Sequence, residues 1–376
     1  VDTALADDNL QYMATLVMSQ RAATTLTVLA LALCGPALAA PARASGRPDD
    51  CAARQLPAAA GARATHPDGT AEVTAFAPGG GYQVTRCGRD GRPVVSQTVS
   101  PILDPDGGSV LVPTERVQDG VTVAMLYGDP ADPGWAAQFR AARREIAAQV
   151  IPPTVPVPAP VALDLAVQPT EVREGATLRG AGQLARAAVA GDACTNSQFA
   201  LWESAWGTRT YKYYVNRSRF NYNDTSVASI VDGHRNWDTT YNSCGLNDIT
   251  NLMSQHLGST AETIHTYPDG LSVTDKGSLA SICPGALACT WLFSGADGRT
   301  TETDQRFNED FDFSNVGAAG AYDYESIATH ETGHSIGLDH ANSSNALTMY
   351  FQIASGTTHA RSLAKGDVLG LRSRYP

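Results

Sequence analysis

The chain has 376 residues, with 27 Lys and Arg against 38 Asp and Glu, for a formal net charge of −11. Nucleic-acid binding needs clustered positive charge, and no such cluster interrupts the acidic balance. A Gly-rich phosphate loop, a coiled-coil heptad and an internal repeat are also missing, so nothing points to nucleotide chemistry.

Residues 1–17 contain no element that can be placed. From Met18 the order is that of a secretory signal peptide: Arg21 as the positive start, an apolar run through Leu33, then Ala37-Leu38-Ala39 as a small-residue cleavage site. The apolar run is shorter than the ~20 residues a membrane span needs. Leu33 stands where a lipoprotein signal carries a small residue before Cys34, so lipidation is disfavoured. Residues 1–39 are therefore expected to be leader and signal peptide, and the mature chain to be exported, extracellular and free of a membrane span. Without Cys34 six cysteines remain: Cys51, Cys87, Cys194, Cys244, Cys283 and Cys289. An even set in an exported chain implies disulfides. Nearness in sequence favours Cys51–Cys87, Cys194–Cys244 and Cys283–Cys289.

Residues 45–150 read as a small β-rich region. The runs TAEVTAF, YQVT, PVVSQTV and VTVAMLY are separated by Gly, Pro and Asp, and Trp135, Phe139, Arg143 and Ile146 then mark one helix. IPPTVPVPAP, Ile151 to Pro160, cannot sustain a helix or a central strand and opens an extended linker over residues 151–190. The first half is either a propeptide or an accessory domain that stays attached; a cleavable linker favours the propeptide.

The second half, residues 194–376, begins with a strand at Thr210 to Asn216, rich in aromatic and β-branched residues. Val227, Ile230, Val231, His234 and Trp237 then recur at helical spacing. His234 lies on that apolar face and is read as a core histidine rather than a ligand. Ile264-His265-Thr266 and Trp291-Leu292-Phe293 read as short strands.

The most informative segment is HETGHSIGLDH, His330 to His340. Residues four apart share a helix face, so His330 and His334 can reach one ion. Gly337 lets the backbone leave the helix in a left-handed conformation and return His340 to the same point. Three neutral imidazoles leave the fourth tetrahedral position of a zinc ion open, which is the catalytic arrangement. Glu331, one residue off the ligand face, is placed over that position. The complete string is a zinc-protease signature and far more specific than H-E-x-x-H alone.

From Ser326 to His340 the chain resembles the active-site helix of the metzincin metalloproteases, within them the matrixin-like branch of secreted bacterial type. Ala346-Leu347-Thr348-Met349-Tyr350 is similar to the Met-turn of that clan, although Thr348 is additional and Phe351 replaces the usual proline. Phe351 also cannot act as the zinc-binding tyrosine of other branches. Ser362 to Pro376 resembles the last helix of the family, with Ser362 as its expected N-cap and Val368 and Leu371 on one face.

The resemblance implies an α/β metzincin-like catalytic domain: a twisted, mostly parallel sheet over two long helices, the active-site helix, a Met-turn around Met349 and a C-terminal helix, all preceded by the β-rich region. It implies zinc held by His330, His334 and His340, with Glu331 as general base and proton carrier for peptide hydrolysis. The partners implied are protein or peptide substrates, bound extended along an edge strand by a monomer. The specificity pocket is expected from the segment Tyr350 to Ser355. The alternative is a secreted binding or adhesion protein that keeps the fold without turnover. In the stretch Thr301 to Phe313, Arg306 stands at a structural-zinc histidine position and Asn308 at a calcium-binding aspartate position. A second zinc is therefore disfavoured, and an acidic solvated loop is preferred over calcium at Asp304, Asn308, Asp310 or Asp312. Thr85-Arg86-Cys87-Gly88 partly resembles the matrixin cysteine switch, in which a prosegment thiolate caps the zinc. A disulfide is the favoured state of Cys87, with the switch as the alternative.

Overall fold

Residues 61–77, 80–155, 192–221, 223–248 and 250–376 are described by the computed structural model. The signal peptide, Cys34, Cys51 and the linker from residue 156 to 191 fall outside them.

Six strands open the described chain: β1 (Gly61–Thr65), β2 (Ala71–Phe76), β3 (Tyr82–Cys87), β4 (Pro93–Leu103), β5 (Ser109–Gln118) and β6 (Val121–Gly128). Each pairs antiparallel with the next. Between β5 and β6 the turn is Asp119-Gly120, both at positive φ (53° and 79°), the two-residue hairpin connection that suits strand twist. This turn sets the register that puts Glu115 opposite Ala124. The expected runs all fall on strands, while β5 escaped the sequence reading because Pro113 interrupts its pattern. The predicted helix is α1 (Pro133–Gln149), capped by Asp132, with Trp135, Phe139 and Ile146 buried. The opening of the Pro-rich stretch is tied back to the first sheet: Ile151 N donates to Gln97 and Thr154 N to Glu72.

The second half supplies β7 (Ala200–Leu201), β8 (Ala205–Trp206), β9 (Thr210–Val215), α2 (Asp224–Asp238), β10 (Met253–Ser259), β11 (Val273–Gly277), β12 (Ala288–Ser294) and β13 (Arg299–Asn308). Then come β14 (Phe313–Ser314), β15 (Tyr322–Asp323), α3 (Tyr324–Ser335), β16 (Leu338–Asp339), β17 (Gln352–Ile353) and α4 (Lys365–Arg374). Strands β10, β9, β11 and β13 are parallel neighbours, and β12 joins β13 antiparallel. This mixed α/β arrangement, with α2 and α3 packed together, fits a metzincin-like fold. Among the described residues no helix is long and apolar enough to cross a membrane.

Two expectations are corrected. Ile264 to Thr266 is not a strand: Ile264 N and His265 N donate to the carboxylates of Asp275 and Asp304 instead of to a neighbouring strand. Their place in the sheet belongs to β10 and β11, whose polar sequences hid them. The last helix starts at Lys365 with Ala364 as N-cap, not at Ser362. Strand β6 pairs antiparallel with β12 and parallel with β17, so one 13-stranded sheet runs through both halves of the chain. Disulfides link Cys194 to Cys244 and Cys283 to Cys289 as expected.

Candidate active site

Helix α3 carries the first two histidines and is held at both ends. Asp323 caps it by accepting from Ser326 N and Oγ (2.9 Å each), and Arg361 grips the same carboxylate through two nitrogens (2.6 and 2.8 Å). Trp237 of α2 donates to Thr329 O at 2.7 Å, which fixes the rotation of the helix. After Ser335 the chain turns through Gly337 at φ +94°, where an added Cβ would also lie 2.7 Å from Ser204 O. This is the left-handed exit expected for that glycine.

The exit returns His340 to the helix. The three Nε2 atoms of His330, His334 and His340 are 3.0, 3.1 and 3.2 Å apart. Tetrahedral zinc at ~2.0–2.1 Å from each nitrogen would set them ~3.3–3.4 Å apart, so the trio fits the ion with an adjustment of tenths of an ångström. Nδ1 of His330 faces Thr348 O at 2.7 Å and Nδ1 of His334 faces Leu338 O at 2.9 Å. Each carbonyl selects the tautomer that aims the Nε2 lone pair at the common centre. Burial lowers His330 to about 4, against the opposing pull of Thr348 O. It also holds His334 and His340 well below the usual histidine range, with the neighbouring imidazoles adding to the effect. All three are thus neutral ligands at physiological pH. Among the described residues they form the only cluster of His, Cys, Asp or Glu compact enough to hold a metal ion.

Glu331 is fully buried beside them. Its Oε2 accepts from the Thr290 hydroxyl of β12 at 2.6 Å, whereas Oε1 has no hydrogen-bond partner. Burial pushes the carboxyl up to about 8, with the Thr290 bond pulling it down. Thr290 was not foreseen from sequence, since nothing marks one threonine in an apolar strand as a partner.

Met349 lies beneath α3. A Cβ on Gly333 would come within 2.2 Å of Met349 Sδ and 2.7 Å of Trp237, so only glycine lets the loop pack this close. That loop is held by Asp367, a second residue missed in the sequence. Its carboxylate accepts from Thr348 N (2.9 Å), Met349 N (3.2 Å) and Ala364 N (2.8 Å). The additional Thr348 is thereby placed so that its carbonyl meets His330.

Trp202 stacks on His334, ring centroids 4.9 Å apart. Beside His340, Asp339 meets Glu115 of β5; burial and then the Asp339 carboxyl hold Glu115 well above the usual range, and burial raises Asp339 as well.

The acidic solvated loop expected over Thr301 to Phe313 is instead strand β13 as far as Asn308, with Asp304 and Asn308 buried. Arg306 forms a two-nitrogen ion pair with buried Asp275 (2.7 and 2.6 Å), filling the structural-zinc position with a salt bridge. Asp304 accepts from two backbone N–H groups, and Asn308 is used by Ala286 O and Asp310 N. Calcium at Asp304, Asn308, Asp310 and Asp312 therefore finds no support. Cys87 is buried and disulfide-bonded, so the described chain presents no thiol from it to the histidines. Its expected partner Cys51 lies outside the described residues. His234 is a core residue, as expected: it is stacked on Tyr213 at 3.7 Å and paired with the Tyr211 hydroxyl.

Residues 284–376 match the matrixin family model, a segment that holds Glu331, the three histidines and Met349. The match supports a matrixin-like, metzincin family, which is zinc-dependent, and metalloprotease chemistry on protein substrates. No curated protein matches the chain.

Proposed function

We infer that the chain is a secreted zinc endopeptidase of matrixin-like type, acting as a monomer on extended polypeptides. The observation that carries this reading is the convergence of three Nε2 atoms within 3.2 Å of one another beside a buried carboxyl oxygen with no partner. His330, His334 and His340 would hold the ion; zinc, when bound, acidifies a water and polarises the scissile carbonyl. The residues of the chain do the proton work. Thr290 fixes Oε2 of Glu331, which leaves Oε1 to take the proton of the attacking water and deliver it to the leaving amine. Met349 and Asp367 keep the floor rigid, and Thr348 O keeps His330 in its ligand tautomer. The reading of export rests on the signal-like segment from Met18 to Ala39 and on the paired cysteines.

Gel zymography on casein, with chelator and with zinc restored, tests the reading together with elemental analysis. The secreted chain is expected to hold one zinc, lose cleavage on chelation and regain it with zinc. Glu331→Ala is expected to keep the metal and lose ~10²–10⁴-fold in rate. A zinc-loaded Glu331→Ala variant with near-normal cleavage removes Glu331 from this role.

A further inference from the structure

Strand β6 lies in the groove that the proposed peptidase needs for its substrate. On one side it pairs antiparallel with β12, Leu126 opposite Ala288, Ala124 opposite Thr290 and Thr122 opposite Leu292. On the other it runs parallel to β17, Tyr127 beside Gln352 and Gly128 beside Ile353. Main-chain bonds close both sides: Leu287 N to Leu126 O (2.7 Å), Tyr127 N to Phe351 O (2.9 Å) and Asp129 N to Ile353 O (3.0 Å). These donors and acceptors are what an open strand edge offers an incoming extended peptide.

The register sets β6 between residues that touch or adjoin the site on either side. Thr290, which binds Glu331, faces Ala124; Ala124 faces Glu115; and Glu115 reaches Asp339 beside His340. The row therefore runs from Thr290, which holds Glu331, to Asp339, which directly precedes His340. His330, His334, His340 and Glu331 are only 1%, 0%, 6% and 0% exposed with β6 in place.

We propose that β6 is a built-in pseudosubstrate strand: the N-terminal sheet keeps the enzyme latent by filling the peptide-binding edge with its own backbone. The proposal rests on the peptidase reading above. It differs from thiol capping, because the blocking group is main chain and Cys87 is tied up in a disulfide. Strand β6 is retained in turn by β5, by α1 and by Trp135, whose indole donates to Gly285 O at 3.0 Å. A strand anchored in this way is not released as a cleaved product would be. Activation then requires loss or undocking of residues 61–149.

The test uses the zinc-loaded full chain, Leu126→Asp, which puts a charge into the β6–β12 contact, and wild type trimmed with trace trypsin and followed by mass spectrometry. Two rates are read: cleavage of a quenched fluorogenic peptide and zinc release to the chromogenic chelator 4-(2-pyridylazo)resorcinol. Both are expected to rise at least about tenfold in Leu126→Asp, and in wild type as residues 61–149 disappear. If Leu126→Asp fails to fold, the trypsin series decides. Intact wild type that already matches the trimmed form in both rates overturns the proposal. Faster zinc release without any peptide cleavage supports strand occupancy and instead defeats the peptidase reading.

Discussion

Asp367 offers the sharpest quantitative test of how the site is held. Removing its carboxylate in Asp367→Ala leaves three backbone N–H groups without their acceptor, at Thr348, Met349 and Ala364. Each orphaned buried donor costs about 1–3 kcal/mol, so the gross loss is about 3–9 kcal/mol. The native group carries its own cost, because burial raises it from 3.8 to about 6. A carboxyl raised in the folded state stabilises fully below the unfolded value, and that contribution is lost as pH rises through the folded value. Over the whole range the loss amounts to about 3 kcal/mol, roughly half of it already spent at pH 5, where the unfolded group has ionised. Wild type should therefore exceed Asp367→Ala by about 1.5–7.5 kcal/mol at pH 5, and the gap should narrow by about 1.4 kcal/mol by pH 8. Urea unfolding of the zinc-loaded chain at both pH values measures this. A gap below about 1 kcal/mol at pH 5, or one that widens toward pH 8, refutes the reasoning.

Two further predictions concern packing beneath the histidines and a buried charge pair. Gly333→Ala must push Met349 Sδ and Trp237 away from a Cβ 2.2 and 2.7 Å distant, so it should cost about 1–3 kcal/mol in thermal unfolding and weaken zinc about tenfold in competition titration; unchanged affinity would show that Met349 is not a support. Arg306→Met leaves the fully buried Asp275 unpaired and should cost about 3–5 kcal/mol, most of it recovered by adding Asp275→Asn, while a second equivalent of zinc or added calcium should not raise the melting temperature.

Much of the candidate site was legible because its information is local. His330, Glu331, His334, Gly337 and His340 lie within eleven residues, and helix geometry plus one left-handed residue determine how they meet. The amphipathic face of α2 and the buried Trp135, Phe139 and Ile146 of α1 were equally plain, since period and residue type coincide. Polar strands were not. The sequence of β10, MSQHLGS, lacks the alternation of a half-buried strand because it sits at the end of the sheet order. Thr290 and Asp367 were hidden for another reason: each acts on a partner 41 or 18–19 residues away, through one hydroxyl or one carboxylate.

The pairing of β6 with β12 was the least legible feature, and its physics explains why. Any apolar strand with a free edge can in principle extend any sheet, so residue type alone cannot name the partner. The choice is made by the whole unit. The Asp119-Gly120 turn sets the register, α1 brings Trp135 to Gly285, and the Cys283–Cys289 disulfide closes the loop that receives it. These three constraints converge from 119 to 289, and no short window of sequence contains them together. Their joint effect is to set β6, from the first half of the chain, against β12, whose Thr290 holds the buried Glu331. Burying a carboxyl and three imidazoles side by side is costly, and the packing of β6 on β12 is part of what sustains it.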